Sequence, residues 1–180
     1  MESIHELIRK GDVEQVTNLI ENDNSVIEAL DDRGWHPLHV AAELGNITIA
    51  RLLIDHGANV NTRTEEGLDS TALDMASGNG SAELIQFLLS VGARIDLRDD
   101  YEFTPIHTAA IFARPQAVET LIQYGANPND RVNGWTPLTY AEAHLNDLDS
   151  RPRFSEHVPP ASEDDYKAVV EILRKHDGVA

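Results

Sequence analysis

Apolar residues recur along this chain at helical spacing, in short blocks. In ITIARLLIDHG (47–57) they stand at Ile49, Leu52 and Leu53, and in AELIQFLLSVG (82–92) at Leu84, Phe87 and Leu88. The i, i+3, i+4 step predicts a helix with one apolar face in each block. A second kind of block precedes each of these. It carries Pro37, Pro105 or Pro137 where a helix would make its first turn, a place where the missing N–H costs nothing. Ala41 and Ala42 let two helices approach closely, and Gly45 and Gly80 are predicted to end their helices in a left-handed conformation. Asn-Val-Asn (59–61) and Arg-Ile-Asp (94–96) then lead into an extended turn, the fingertip of each unit.

The blocks repeat. His36-Pro-Leu-His-Val-Ala-Ala returns as Thr71-Ala-Leu-Asp-Met-Ala-Ser, Thr104-Pro-Ile-His-Thr-Ala-Ala and Thr136-Pro-Leu-Thr-Tyr-Ala-Glu, with starts 35, 33 and 32 residues apart. Gly57, Gly92 and Gly125 each lie 21 residues after one of the first three starts. One helix pair cannot bury its apolar face alone, but stacked neighbours can, so the pattern predicts a solenoid. The motif Thr-Pro-Leu-His-x-Ala, with glycine at these offsets and LLIDHGANVN at 52–61, resembles the ankyrin repeat.

The resemblance covers nearly the whole chain and implies an all-α ankyrin-repeat solenoid of five units. Residues 1–31 read as an N-terminal cap repeat, with Ile4, Leu7 and Ile8 on one helix and Val13, Val16, Leu19 and Ile20 on the next. Internal repeats follow at 32–63, 64–98 and 99–131. A C-terminal repeat at 132–180 is interrupted by about twenty inserted residues near 145–164, and closes on Val169, Val170, Ile172 and Leu173. Caps at both ends lead us to expect a chain complete in itself. Two further departures stand out. The fingertip before Thr71 is two residues longer than its counterparts, and Ala113 replaces the glycine between two helices, at roughly 1 kcal/mol if that residue is left-handed.

Chemistry offers less. There is no cysteine, which removes disulfides, thiolate metal sites and cysteine nucleophiles together, and suits a reducing, cytoplasmic compartment. The resemblance gives His39 and His107 a structural hydrogen bond to a neighbouring loop. His36, in the place of a threonine, is expected to cap or pack. His144 and His157, with Asp147 and Asp149, offer metal-ligand types at the insertion but meet no known ligand spacing. The acid pair Asp99-Asp100 reads as a solvated fingertip. No phosphate-cradling glycine loop or nucleophile elbow appears, so we expect no catalysis, no metal and no cofactor.

The family's binding surface is the concave side made by fingertips and first helices. Carried over residue by residue, it holds Asp32, Arg33, Trp35, Glu43 and Leu44 in the second unit, and Asp69, Ser70, Gly78 and Asn79 in the third. The fourth supplies Asp100, Tyr101, Phe103, Ile111 and Phe112, and the fifth Val132, Asn133, Trp135, Ala143 and His144. Five of the chain's ten aromatic residues fall in this set, and aromatic side chains anchor protein interfaces. The alternative for each, Phe112 above all, is core packing against the next repeat.

Charge sharpens the expectation. Net charge is −17, from 31 acids against 14 bases, which argues against a nucleic-acid backbone or an anionic membrane surface. The four fingertips carry nine acids and four arginines, and segment 142–165 continues the acidic field with seven acids and two arginines. The partner expected is therefore another protein with a basic surface, met by a chain that is a monomer when free. An inhibitor or immunity-type protein masking a basic target fits this charge, and a general adaptor is the alternative.

Overall fold

Helix starts and stops follow from short-range hydrogen bonds that the sequence supplies. Ser3 and Glu6, Thr71 and Asp74, Thr136 and Thr139, and Ser162 and Asp165 each close a reciprocal capping box, in which two otherwise unpaired N–H groups are satisfied. The computed structural model describes residues 2–147 and 160–177. Within them lie helix pairs α1 (Ile4–Lys10) and α2 (Val13–Asn22), α3 (Pro37–Glu43) and α4 (Ile47–Asp55), and α5 (Ala72–Asn79) and α6 (Ala82–Ser90). They are followed by α7 (Pro105–Ile111) and α8 (Pro115–Gln123), then α9 (Pro137–Asn146) and α10 (Glu163–His176).

The odd-numbered helices pack one on the next as an inner layer, and the even-numbered helices form the outer layer behind them. Ala41, Ala42, Ala76, Ser77, Ala109 and Ala110 are fully enclosed between inner helices, where a larger side chain would force the helices apart. Ile49, Leu53, Leu84, Leu88, Val118 and Leu121 from the outer layer complete a continuous core. Adjacent units are also tied by polar bonds at their exposed ends. Asn79 Nδ2 donates to the Glu43 carbonyl at 2.9 Å and Arg114 Nε to the Gly78 carbonyl at 2.8 Å, so the third and fourth units each satisfy a carbonyl left over at the end of the preceding inner helix.

The fingertips carry isolated bridges, Arg63 with Thr71 and Val132 with Trp135, in place of full hairpins. They lie close enough to bond to one another: Glu65 N–H donates to the Gly34 carbonyl at 2.9 Å and Asp100 N–H to the Leu68 carbonyl at 3.0 Å. Gly34 has φ +67°, and a Cβ there would stand 2.7 Å from the Glu66 nitrogen, so both conformation and contact require glycine. Ala113 does adopt a left-handed φ of 48°, in a turn that is glycine in other units.

Other features differ from expectation. A 3₁₀ turn at Asn24–Glu28, capped by Asp23, follows α2 and buries Ile27. In the last unit α9 runs to Asn146 and α10 begins at Glu163, so both helices reach two residues into the stretch read as an insertion. Residues 148–159 of that stretch, including His157 and Asp149, lie outside the described residues. Tyr166, fully enclosed in the first turn of α10, donates its hydroxyl to the Ile111 carbonyl at 2.8 Å and anchors this last helix to α7. Among the described residues no helix is long and apolar enough to cross a membrane.

Candidate functional site

The fourth position of the repeated motif determines what lies between fingertip and inner helix. At His39 the imidazole Nδ1 accepts the His36 N–H at 3.1 Å, while Nε2 bonds the Thr62 carbonyl of the next fingertip at 2.9 Å. His107 repeats the arrangement: Nδ1 engages the Thr104 N–H and hydroxyl, and the ring's other edge turns to the Asp130 backbone without reaching full hydrogen-bond geometry. Burial holds both imidazoles neutral, with pKa values lowered to about 4. These two histidines are architecture. His36 makes no side-chain cap bond and tilts against the His39 ring at 5.6 Å.

The third unit carries Asp74 at the same position. Its Oδ2 accepts the Thr71 N–H at 2.8 Å and the Thr71 hydroxyl at 2.7 Å, whereas Oδ1, also buried, has no hydrogen-bond partner. An ionised carboxylate has no proton to give a neighbouring carbonyl, and it is shorter than an imidazole. A cleft of about 300 Å³ opens beside it, lined by Trp35, Glu43, Leu68, Ser70, Asp74, Met75, Asp99, Tyr101, Phe103, Thr108, Ile111 and Phe112. Three consecutive units contribute to it.

Of the nineteen residues carried over to the concave face, Trp35, Glu43, Ser70, Tyr101, Phe103, Ile111 and Phe112 line this cleft. Arg33 stands at its rim, with its guanidinium 3.8 Å from the centre of the Trp35 ring and 3.6 Å from the Glu43 carboxylate. An aromatic run leads away from it: Tyr101 lies 6.1 Å from Phe103, Phe103 meets the Tyr140 ring edge-on at 5.2 Å, and Tyr140 tilts against Trp135 at 5.3 Å. Trp135 (46% exposed) and Tyr101 (60%) are the open ends of that run, while Phe103 is half-buried and stacks on His107 at 5.6 Å.

The remaining expected residues are placed elsewhere. Val132 is buried and bridges Trp135 through backbone bonds of 2.9 Å in both directions, so its side chain offers a partner little; the tight turn draws it inward. Leu44 packs against the core, and half-buried His144 lies 6.1 Å from the Tyr166 ring, on the α10 side. Asp32, Asp100 and Asn133 are exposed at fingertip turns, and Asp69 is ion-paired to Arg63.

Leu68, Asp74, Met75, Asp99, Thr108 and Tyr140 were not in the expected set. Met75, Thr108 and Tyr140 share one motif position, the fifth, whose variation from Val40 to Tyr140 is visible in the repeat alignment.

The reading of Asp99 as a solvated acid is corrected. It is 9% exposed, its Oδ1 accepting the Tyr101 and Phe103 N–H groups at 2.9 Å each. Burial pushes its carboxyl above the ordinary value, with Asp100 and Glu102 adding to the effect against those two N–H bonds. Asp31 performs the same turn-closing task, but there the Trp35 and Arg33 N–H groups and the Arg9 side chain outweigh burial and hold the carboxyl below its ordinary value. Asp74 is the most perturbed, pushed up to about 6 by burial, against its Thr71 bonds and with the charge of Asp99 nearby. Among the described residues no three His, Asp or Glu side chains gather in a way that could hold a metal ion.

Known proteins place this architecture. A family model of ankyrin repeats in three copies matches residues 4–99 and 73–149. The chain is 35% identical over 118 residues to a probable 26S proteasome regulatory subunit, p28, of Saccharomyces cerevisiae, covering 63% of this chain and 50% of that one. It is 36% identical over 108 residues to a putative ankyrin repeat-containing protein of Treponema pallidum, covering 60% of this chain and 36% of that one. Protein phosphatase 1 regulatory subunit 27 of Mus musculus is 33% identical over 93 residues, covering 52% of this chain and 59% of that protein. This chain thus spans between about a third and three fifths of the length of these relatives. With the family match running through four stacked helix pairs and into the fifth, the chain belongs to the ankyrin-repeat family.

Proposed function

We propose that this chain is a non-catalytic module that binds a partner protein across its fingertips and inner helices. The observation that carries the reading is the convergence of Trp35 from the second unit with Tyr101, Phe103 and Phe112 from the fourth on one cleft, with Trp135 of the fifth extending the same aromatic run. Aromatic side chains rimmed by charge are the usual anchors of protein interfaces. Two of the relatives are named as regulatory subunits, of the 26S proteasome and of protein phosphatase 1, which supports a regulator that acts by binding. The imidazole nitrogens that could serve as bases in His39 are already engaged in the scaffold, which favours a non-catalytic role.

The partner presents a basic surface. Asp32, Glu65, Glu66, Asp100 and Glu102 are exposed acids around the cleft, in a chain of net charge −17. Such a field speeds the approach of a cationic protein and is screened by salt. Masking of a basic target by a free monomer, as an inhibitor or immunity-type protein would do, fits that field better than a general adaptor role.

The experiment compares proteins captured from the native cell on wild-type, Tyr101→Ala and Trp135→Ala baits. A specific partner retained by the wild type and lost from both variants, which melt at the wild-type temperature, supports the reading. Equal retention by all three overturns it. For a captured partner, an association rate that falls about tenfold or more from low to physiological salt supports masking of a basic target, and a flat rate overturns that role.

A further inference from the structure

Two acids that line the cleft each hold an enclosed carboxylate oxygen without a hydrogen-bond partner. Asp74 is 5% exposed and Glu43 3% exposed, and both line the cavity. Asp74 Oδ1 and Glu43 Oε2 are each enclosed without a hydrogen bond, although Glu43 is ion-paired to the Arg33 guanidinium at 3.6 Å. Unsatisfied buried acceptors are rare because each forfeits its hydration. Asp99 adds a third enclosed carboxylate to the same lining, and the neighbouring charges acting on it are acids. Arg63, the cation whose charge reaches Asp74, is itself held by the Asp69 carboxylate and by the Asp69 and Arg98 carbonyls. With Glu43 paired to Arg33, the carboxylates of Asp74 and Asp99 are left without an ion pair, and negative charge in the cleft exceeds the positive charge supplied to it.

We propose that this cleft is a receptor for an arginine side chain of the partner protein, its guanidinium lying among the carboxylates of Glu43, Asp74 and Asp99 and against the aromatic walls. The proposal rests on the reading of this face as a protein-binding surface and names the chemistry at its centre. Arginine is favoured over lysine for three reasons. Its planar head stacks on aromatic rings, it presents a fork of donors to several acceptors, and it loses less hydration than an ammonium. The chain already holds one guanidinium in this way, Arg33 over Trp35. Acids kept above their ordinary pKa values by burial gain most from an incoming cation, which removes the cost of holding their charge.

The test uses Nα-acetyl-arginine amide as probe, with Nα-acetyl-citrulline amide as its uncharged isostere and Nα-acetyl-lysine amide as the competing cation. Amide shifts of the isotopically labelled whole chain, including the Trp35 indole N–H signal, give the readout. The arginine probe is expected to shift residues lining the cleft, Met75, Thr108 and Tyr101 among them, with millimolar affinity. It should bind at least about tenfold more tightly than citrulline and more tightly than lysine. In the Glu43→Gln/Asp74→Asn variant the preference over citrulline should vanish. Equal binding of arginine and citrulline, shifts confined to exposed fingertip acids, or a preference for lysine overturns the proposal. The citrulline comparison is made on the wild-type chain, so it stands whether or not the double variant folds. Failure here leaves the partner-binding reading to the Tyr101 and Trp135 baits, which do not touch the buried acids.

Discussion

At pH 7.5 the substitution Asp74→Asn is expected to stabilise the protein by about 2 kcal/mol, an unusual direction for a change at a fully enclosed position. The magnitude follows from the carboxyl's surroundings. Burial raises its pKa from 3.8 in the unfolded chain to about 6, which at neutral pH corresponds to about 3 kcal/mol of destabilisation, at 1.36 kcal/mol per tenfold change in acidity. Asparagine keeps one oxygen for the Thr71 N–H and hydroxyl, but its amide replaces Oδ1 where no partner stands, returning about 1 kcal/mol of the gain. For a chain of 180 residues, 2 kcal/mol raises the melting temperature by about 4–8 °C.

The sign has a pH signature. A carboxyl whose folded pKa is raised binds its proton more readily in the folded state, so the wild type recovers stability as pH falls through about 6. At pH 4.5 its remaining penalty is about 1 kcal/mol, matched by the cost of the buried amide, and the two proteins should melt together. Thermal melts followed by circular dichroism at both pH values supply the assay. A variant less stable than wild type at pH 7.5, or an offset of equal size at both pH values, would refute the picture of a desolvated, under-bonded carboxylate.

The neutral histidines work in the opposite sense. His39 and His107 are held at about 4 against an ordinary 6.5, so the unfolded chain takes up protons that the folded one refuses. Their stabilisation is complete above about pH 6.5 and is lost as pH falls towards 4, at up to about 3 kcal/mol each. Denaturant midpoints should therefore drop between pH 7 and 4.5, more steeply in Asp74→Asn than in wild type, and a flat profile would contradict the assignment. Gly34→Ala should lower stability by at least about 1 kcal/mol, from its left-handed φ and the contact with Glu66, and should shift the Glu65 amide signal; an unchanged melt counts against the fingertip packing. Tyr166→Phe removes the donor to the Ile111 carbonyl and should cost about 1 kcal/mol in urea unfolding, with an unchanged midpoint as the contrary result. Trp135→Ala should reduce partner affinity by about 2 kcal/mol without moving the melting temperature, whereas Phe103→Ala, at a ring stacked on His107 and edge-on to Tyr140, should lower both. Loss of fold in Trp135→Ala would make that ring part of the core.

The stacked helices were legible in the sequence because the residues that build them are the ones that recur. Prolines at helix starts, alanines between inner helices and the i, i+3, i+4 apolar steps of the outer helices each answer a local demand that returns with every unit. The cleft was only half legible. Its aromatic residues stood out as large side chains at variable positions, but Met75 and Thr108 stand inside the repeated motif, and whether that position faces the cleft depends on the neighbouring fingertip. Charge was hardest to read. Asp31 pairs with Arg9, 22 residues away, and Asp130 with Arg98 of the preceding unit, at 2.8 Å. Counting acids along the fingertips therefore overstates the charge a partner would meet, and hides the three acids that are enclosed.

What distinguishes this solenoid from a plain stack is concentrated where its repeat fails. Histidine at the fourth position bonds the following fingertip in the second unit and turns its ring towards it in the fourth; the third has aspartate, which accepts the local cap bonds and cannot donate onward. The same unit carries the longer fingertip, which brings Leu68 over the gap and ties it to Asp100. The next unit places Tyr101 and Phe103 opposite. Each departure weakens the scaffold locally: a charge is desolvated, a loop is lengthened, rings are left open to solvent. A stack selected for stability alone would restore the histidine. Asp74 and Asp99, with raised pKa values, are thus better explained as a centre that awaits a cation than as a lapse in the repeat.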